Sequence, residues 1–195
     1  MYNYLFESNN KQQKHKVFTS FYHYDDQRYK DYIDENFSHI IINKSVMDGE
    51  YDPDNSDEYI KRLIREDKIS DSSVVVVLVG PNTRRRKHVD WEIYAGLKPS
   101  INGNSGLIGV LLPEFPLLPL NNFNYSDLPA RLADNNKSGY ANIYTWNDFI
   151  NKFDSIIQKA FENRITLKDK IDNSRIQMKR NLGENEWILL LQHYR

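Results

Sequence analysis

The chain contains no cysteine, which excludes disulfides, a thiol nucleophile and cysteine-ligated zinc. Its five histidines are scattered without the spacing of metal ligands, so no metal site is expected. Charge of one sign is also lacking: 26 basic and 27 acidic residues leave a net charge of -1, and nothing draws the whole molecule to nucleic acid or to an anionic membrane. An anion site therefore has to be local. No apolar run approaches the ~20 residues of a membrane-spanning helix. The opening stretch MYNYLFESNNKQQKHK lacks the basic start and apolar core of a signal peptide. The expectation is a cytoplasmic protein with no nucleic-acid and no membrane partner. Tyr22-His23-Tyr24 has none of the glycines of a Gly-x-Gly-x-x-Gly turn, which argues against a dinucleotide-dependent oxidoreductase. A phosphorelay receiver would use Asp25-Asp26 as its metal pair, but it also needs an aspartate ending the central strand, where Gly80-Pro81-Asn82 stands.

At 195 residues and 39% hydrophobic, the chain suits one α/β domain with an appendage. Its organising stretch runs from Ser73 to Leu97. Val74 to Val79 is unbroken apolar and, except for Leu78, β-branched, the pattern of a strand buried on both faces. Gly80-Pro81 ends it, Asn82 or Thr83 is offered as a helix cap, and Val89, Ile93 and Leu97 recur on one helical face.

Around this unit the chain alternates. Val17–Phe21 reads as a strand, followed by a helix with Tyr29, Ile33 and Phe37 on one face and Asp25 and Asp26 at its positive end. His39–Ile42 reads as a strand, 43–56 as a long acidic loop, and Ile60, Leu63 and Ile64 as the stripe of a helix capped by Asn55 with Glu58. Leu107–Leu112 is a fourth strand; 114–140 is irregular, with a short helix over 127–133. Asn142–Thr145 is a fifth strand, and Trp146-Asn147-Asp148 opens a helix burying Phe149, Phe153, Ile156, Ile157 and Ala160. This order predicts a flavodoxin-like five-stranded parallel sheet with helices on both faces, spanning 17–161. Residues 1–16 are an extension, and 162–195 a helical tail ending in the apolar Trp187–Leu191.

In such sheets ligands sit at the carboxyl ends of the strands, which directs attention to Asn82–Glu92. Glu92 lies beside the buried face, with His88 one turn before it and the small Ala95 and Gly96 one turn after. Two readings follow: a solvated glutamate paired with His88, or a carboxylate with room beside it for a ligand. Arg84, Arg85, Arg86 and Lys87 open the helix, where its dipole disfavours cations. A bound phosphate would offset that cost; a basic surface patch would need none.

Three blocks resemble one known family. They are Val17-Phe18-Thr19-Ser20-Phe21-Tyr22-His23-Tyr24; the strand, Gly-Pro-x-Thr turn, basic residues and Val89-Asp90-Trp91-Glu92-Ile93; and Pro129 to Asn135 with Gly139-Tyr140-Ala141 and Tyr144-Thr145-Trp146. Together they are similar to the Thoeris TIR-like proteins, a branch of the bacterial TIR domains. The resemblance implies that Glu92 is the catalytic residue of NAD cleavage at the nicotinamide N-glycosidic bond. It implies a role in anti-phage defence, in which an ADP-ribose-derived nucleotide signals to a separate effector. NAD is then a substrate and no cofactor is needed. On that footing Ser20, Phe21, Tyr22 and His23 face Glu92 as substrate-binding residues, with Arg84 of the basic cluster, His88 and Asn135 joining them. Self-association through TIR surfaces is a further implied partnership. Two other functions remain open: a TIR-type adaptor without turnover, and a nucleoside N-glycosidic transferase or hydrolase.

Overall fold

The computed structural model describes residues 14–43, 59, 69–100 and 102–183. The loop after Asn43, the helix with Ile60, Leu63 and Ile64, and Trp187–Leu191 lie outside the described residues.

The strands are β1 (His15–Ser20), β2 (Ile41–Asn43), β3 (Val74–Val79), β4 (Gly106–Leu111) and β5 (Asn142–Thr145), forming one sheet in the order β2-β1-β3-β4-β5. Every pairing is parallel, with Ser20 opposite Val77 and Val79 opposite Leu111. This is the flavodoxin-like order expected from the alternation of elements. β3 lies at its centre and all six of its residues are buried, because a parallel strand covered on both faces has no solvated side.

Side chains alternate along the strand, and β3 divides the core accordingly. Val75, Val77 and Val79 join α2 (Lys87–Gly96) and α3 (Ala130–Lys137) through Val89, Trp91, Ile93 and Leu132. Val74, Val76 and Leu78 face α1 (His23–Phe37), α4 (Trp146–Asn151) and α5 (Phe153–Thr166) through Ile33, Phe149, Phe153 and Ile157. On that second face Phe37 stacks on Phe153 at 3.8 Å and Tyr29 meets Trp146 edge-on at 4.8 Å.

Four expectations are corrected. Neither Asn82 nor Thr83 caps α2: Thr83–Arg85 form a 3-10 turn, and Arg86 is the N-cap. The Thr83 hydroxyl instead accepts from Gly80 N at 2.8 Å and donates to Asp26 at 3.1 Å. The short helix lies at 130–137, starting only after Pro129, since proline disfavours helical φ/ψ in the residue before it. The single helix from Trp146 is two, α4 and α5, broken at Lys152 (φ -125°), with Thr145 capping α4 through Asp148 N. α5 continues to Thr166, and beyond the 3-10 turn Lys168–Lys170 the described tail to 183 is a non-helical strap.

The strap is held by bonds to the domain. Asn135 donates to Asp172 O at 2.7 Å and accepts from Asp172 N at 3.0 Å. Arg131 donates to Asn173 Oδ1 and Arg175 O, each at 2.8 Å. Asp90 accepts from Met178 N and Trp91 Nε1 donates to Met178 O, both at 2.8 Å. Asn181 Oδ1 accepts from Lys87 N at 2.9 Å, so the strap supplies α2 with the cap that Arg86 cannot.

Candidate active site

In a sheet of this order, the crevice for ligands lies where the connections from β1 and β3 part to opposite faces. Ser20 is the last residue of β1, and the chain leaving β3 returns as α2, which carries Glu92. The two meet: the Ser20 hydroxyl donates to Glu92 Oε2 at 2.5 Å. Glu92 is only 7% exposed. Burial pushes its carboxyl up to about 8, and the Ser20 bond opposes that shift by favouring the ionised form.

Glu92 and Asp90 are two residues apart on one helix and therefore point to opposite sides. Asp90 faces the strap, its carboxylate held by Arg131 Nε at 2.9 Å as well as by Met178 N. A cavity of about 240 Å³ on that side is lined by Arg84, Asp90, Leu128, Arg175, Met178 and Leu182. Its charged groups are already engaged: Arg84 donates to Ser126 O, and Arg175 pairs with Asp134. Glu92 is not among its lining residues.

The small residues after Glu92 do not make room for a ligand. A side chain at Gly96 would meet Val75 Cγ2 at 2.6 Å, so the glycine lets α2 approach β3. Gly80 is likewise tight, with Asp26 Oδ1 2.5 Å from the position a Cβ would take. Asp26 is buried beneath this turn, and burial raises its carboxyl to about 6 against the Thr83 bond. Asn82 donates to Asp25 at 2.9 Å, so the start of α1 and the exit of β3 are joined twice.

The expected binding residues separate. Phe21 is 5% exposed and belongs to the core, its ring 4.1 Å from His23. Tyr22 is the N-cap of α1 and lies under the Arg86 guanidinium at 3.8 Å. His88 stacks on Trp91 at 5.0 Å. Arg84 turns to Ser126, and Asn135 is fully buried with its amide committed to Arg131 O and Asp172. The structure therefore brings Ser20 to Glu92 and keeps Phe21 and Tyr22 on the adjoining turn with His23 opening α1, while Arg84 and Asn135 serve the strap side. Sequence reasoning missed the buried pair Asp90–Arg131. Its only signal was an acid and a base standing within otherwise buried helical faces.

Among the described residues no group of three or more histidines and acids can hold a metal, and no helix is long and apolar enough to cross a membrane. Residues 18–115, half of the chain, match the family of the Thoeris protein ThsB, TIR-like domain. The chain belongs to that family. The match runs from β1 through β4 and contains Ser20, the basic turn and Glu92. This makes it a TIR-like protein of the Thoeris defence type. Asn135 and the strap lie beyond the matched residues.

Proposed function

We propose that this TIR-like protein cleaves NAD at the nicotinamide N-glycosidic bond, with Glu92 as the catalytic carboxylate, and releases an ADP-ribose-derived signal. The observation that supports the reading is a desolvated carboxylate held by Ser20 at the switch point of the sheet. Nicotinamide in NAD is a cationic pyridinium. When its bond to the ribose C1′ breaks, the bonding pair goes to the ring nitrogen and the leaving group departs neutral; C1′ then bonds to a nucleophile, water or a group of the same ADP-ribose, whose proton passes to solvent. No general acid is needed, and one anion suffices to stabilise the oxocarbenium-like ribose. Ordinary glycoside hydrolysis would need two carboxyl groups.

An acid raised to about 8 is mostly protonated at neutral pH. The carboxylate must therefore be unmasked before it can act, and an opening that hydrates Glu92 would lower its pKa and create the anion together. The resting chain is then a low-activity state awaiting a trigger. The same enclosure favours the second reading, an adaptor without turnover. Purified protein, NAD and extract from phage-infected cells distinguish them: wild type releases nicotinamide and Glu92→Ala does not. Equal release by the two would remove Glu92 from the chemistry. Release from free nucleosides but not from NAD would point to nucleoside transfer.

A further inference from the structure

We propose that Arg86, seated on Tyr22, holds the diphosphate of the dinucleotide substrate. The identity of the ligand rests on the NAD reading above; the choice of residue rests on geometry. Four cations follow one another from Arg84 to Lys87, and their spacing alone does not rank them. Their contacts do. Arg84 donates to Ser126 O at 3.1 Å. The Arg85 carbonyl accepts from Leu182 N, and its guanidinium lies 3.5 Å from where a Gly183 side chain would begin. The Lys87 ammonium lies 5.0 Å from the centre of the Trp91 ring, whose Nε1 is bound to the strap. All three serve the strap and the 126 loop.

Arg86 turns the other way. Its guanidinium carbon is 3.8 Å from the centre of the Tyr22 ring, and Tyr22 follows two residues after Ser20, the hydroxyl that binds Glu92. Two residues span at most ~7 Å of chain. Arg86 and Glu92 are thus tied to the same short loop, the first at its rim and the second inside.

The state of the guanidinium supports the assignment. Its Nε is buried and has no hydrogen-bond partner. The Tyr22 face stabilises the positive charge but provides no lone pair for that N–H. A buried donor left unmade costs about 1–3 kcal/mol, and a phosphate is the acceptor whose oxygens match a planar guanidinium. The two acids in the first turn of α1 are engaged elsewhere: Asp25 accepts from Asn82 and Asp26 from Thr83. Arg86 is only half-buried, so a diphosphate meets the exposed part of its side chain first, and the buried Nε joins the contact only as the guanidinium shifts on the Tyr22 face.

The test is calorimetric titration of the full chain with ADP-ribose and with inorganic pyrophosphate, in wild type, Arg86→Gln, Arg86→Lys and Arg84→Gln. Arg86→Gln should weaken ADP-ribose about tenfold, as expected for one charged hydrogen bond. Arg86→Lys should recover part of the loss, and Arg84→Gln should bind as wild type. All variants should keep the wild-type Tm. The assignment is overturned if Arg86→Gln binds as wild type, if Arg84→Gln loses as much, or if wild type binds neither probe. Nicotinamide release is read separately. Arg86-dependent ADP-ribose binding without release keeps the subsite and removes the cleavage; release with an unchanged KM in Arg86→Gln does the reverse.

Discussion

Glu92 is an acid that folding makes weaker. Burial raises its carboxyl from the ordinary 4.5 to about 8 in the folded chain. Between those values the folded state holds a proton that the unfolded state has lost, so stability falls as pH rises through that window. Glu92→Gln keeps the shape and removes the titration. Thermal melts from pH 5 to 8.5 should show the variant's Tm declining less steeply with pH, with its largest gain over wild type at the alkaline end. Ser20→Ala removes the donor that favours the anion, so the alkaline decline should move to higher pH. Asp26 contributes with the same sign between about 3.8 and 6. Asp90 is paired with Arg131, which is 0% exposed. Asp90→Ala strands a buried guanidinium and should cost about 3–5 kcal/mol in urea denaturation.

At the scale of elements, α2 is squeezed between the sheet and the strap, and Gly96 sets its distance from β3. Gly96→Ala forces a methyl against Val75 Cγ2 and should cost about 1–3 kcal/mol, measured by chemical denaturation. The strand and helix of this unit were legible because their signals are local: β-branched residues in Val74–Val79, and helical spacing at Val89 and Ile93. The strap was not legible. Its path is fixed by bonds to residues distant in sequence, Asp172 to Asn135 and Met178 to Asp90, which leave no periodicity. Gly96 was misread as ligand space for a related reason, since a glycine marks close approach without saying what approaches. The four cations likewise gave a charge but no direction. Because Asn181 caps α2 from the strap, Asn181→Ala should speed amide hydrogen exchange at the first turn of α2 and leave α5 unchanged.

At the scale of the molecule, a parallel sheet in the order β2-β1-β3-β4-β5 brings the first loop of the chain against the helix that follows its central strand. Ser20 and Glu92 therefore meet although 72 residues separate them. The family match covers both sides of this junction. The strap closes the opposite side of α2, gripping Asp90, Trp91 and Lys87, so any movement of the helix that unmasks Glu92 must also strain those bonds. Under the proposed activity, enclosure of the acid and clamping of its helix would keep the resting chain quiet. The most direct measurement is nicotinamide release from NAD by wild type and Glu92→Gln, side by side, with and without extract of infected cells. Release confined to triggered wild type is the expected result. Release by Glu92→Gln at the wild-type rate would contradict it.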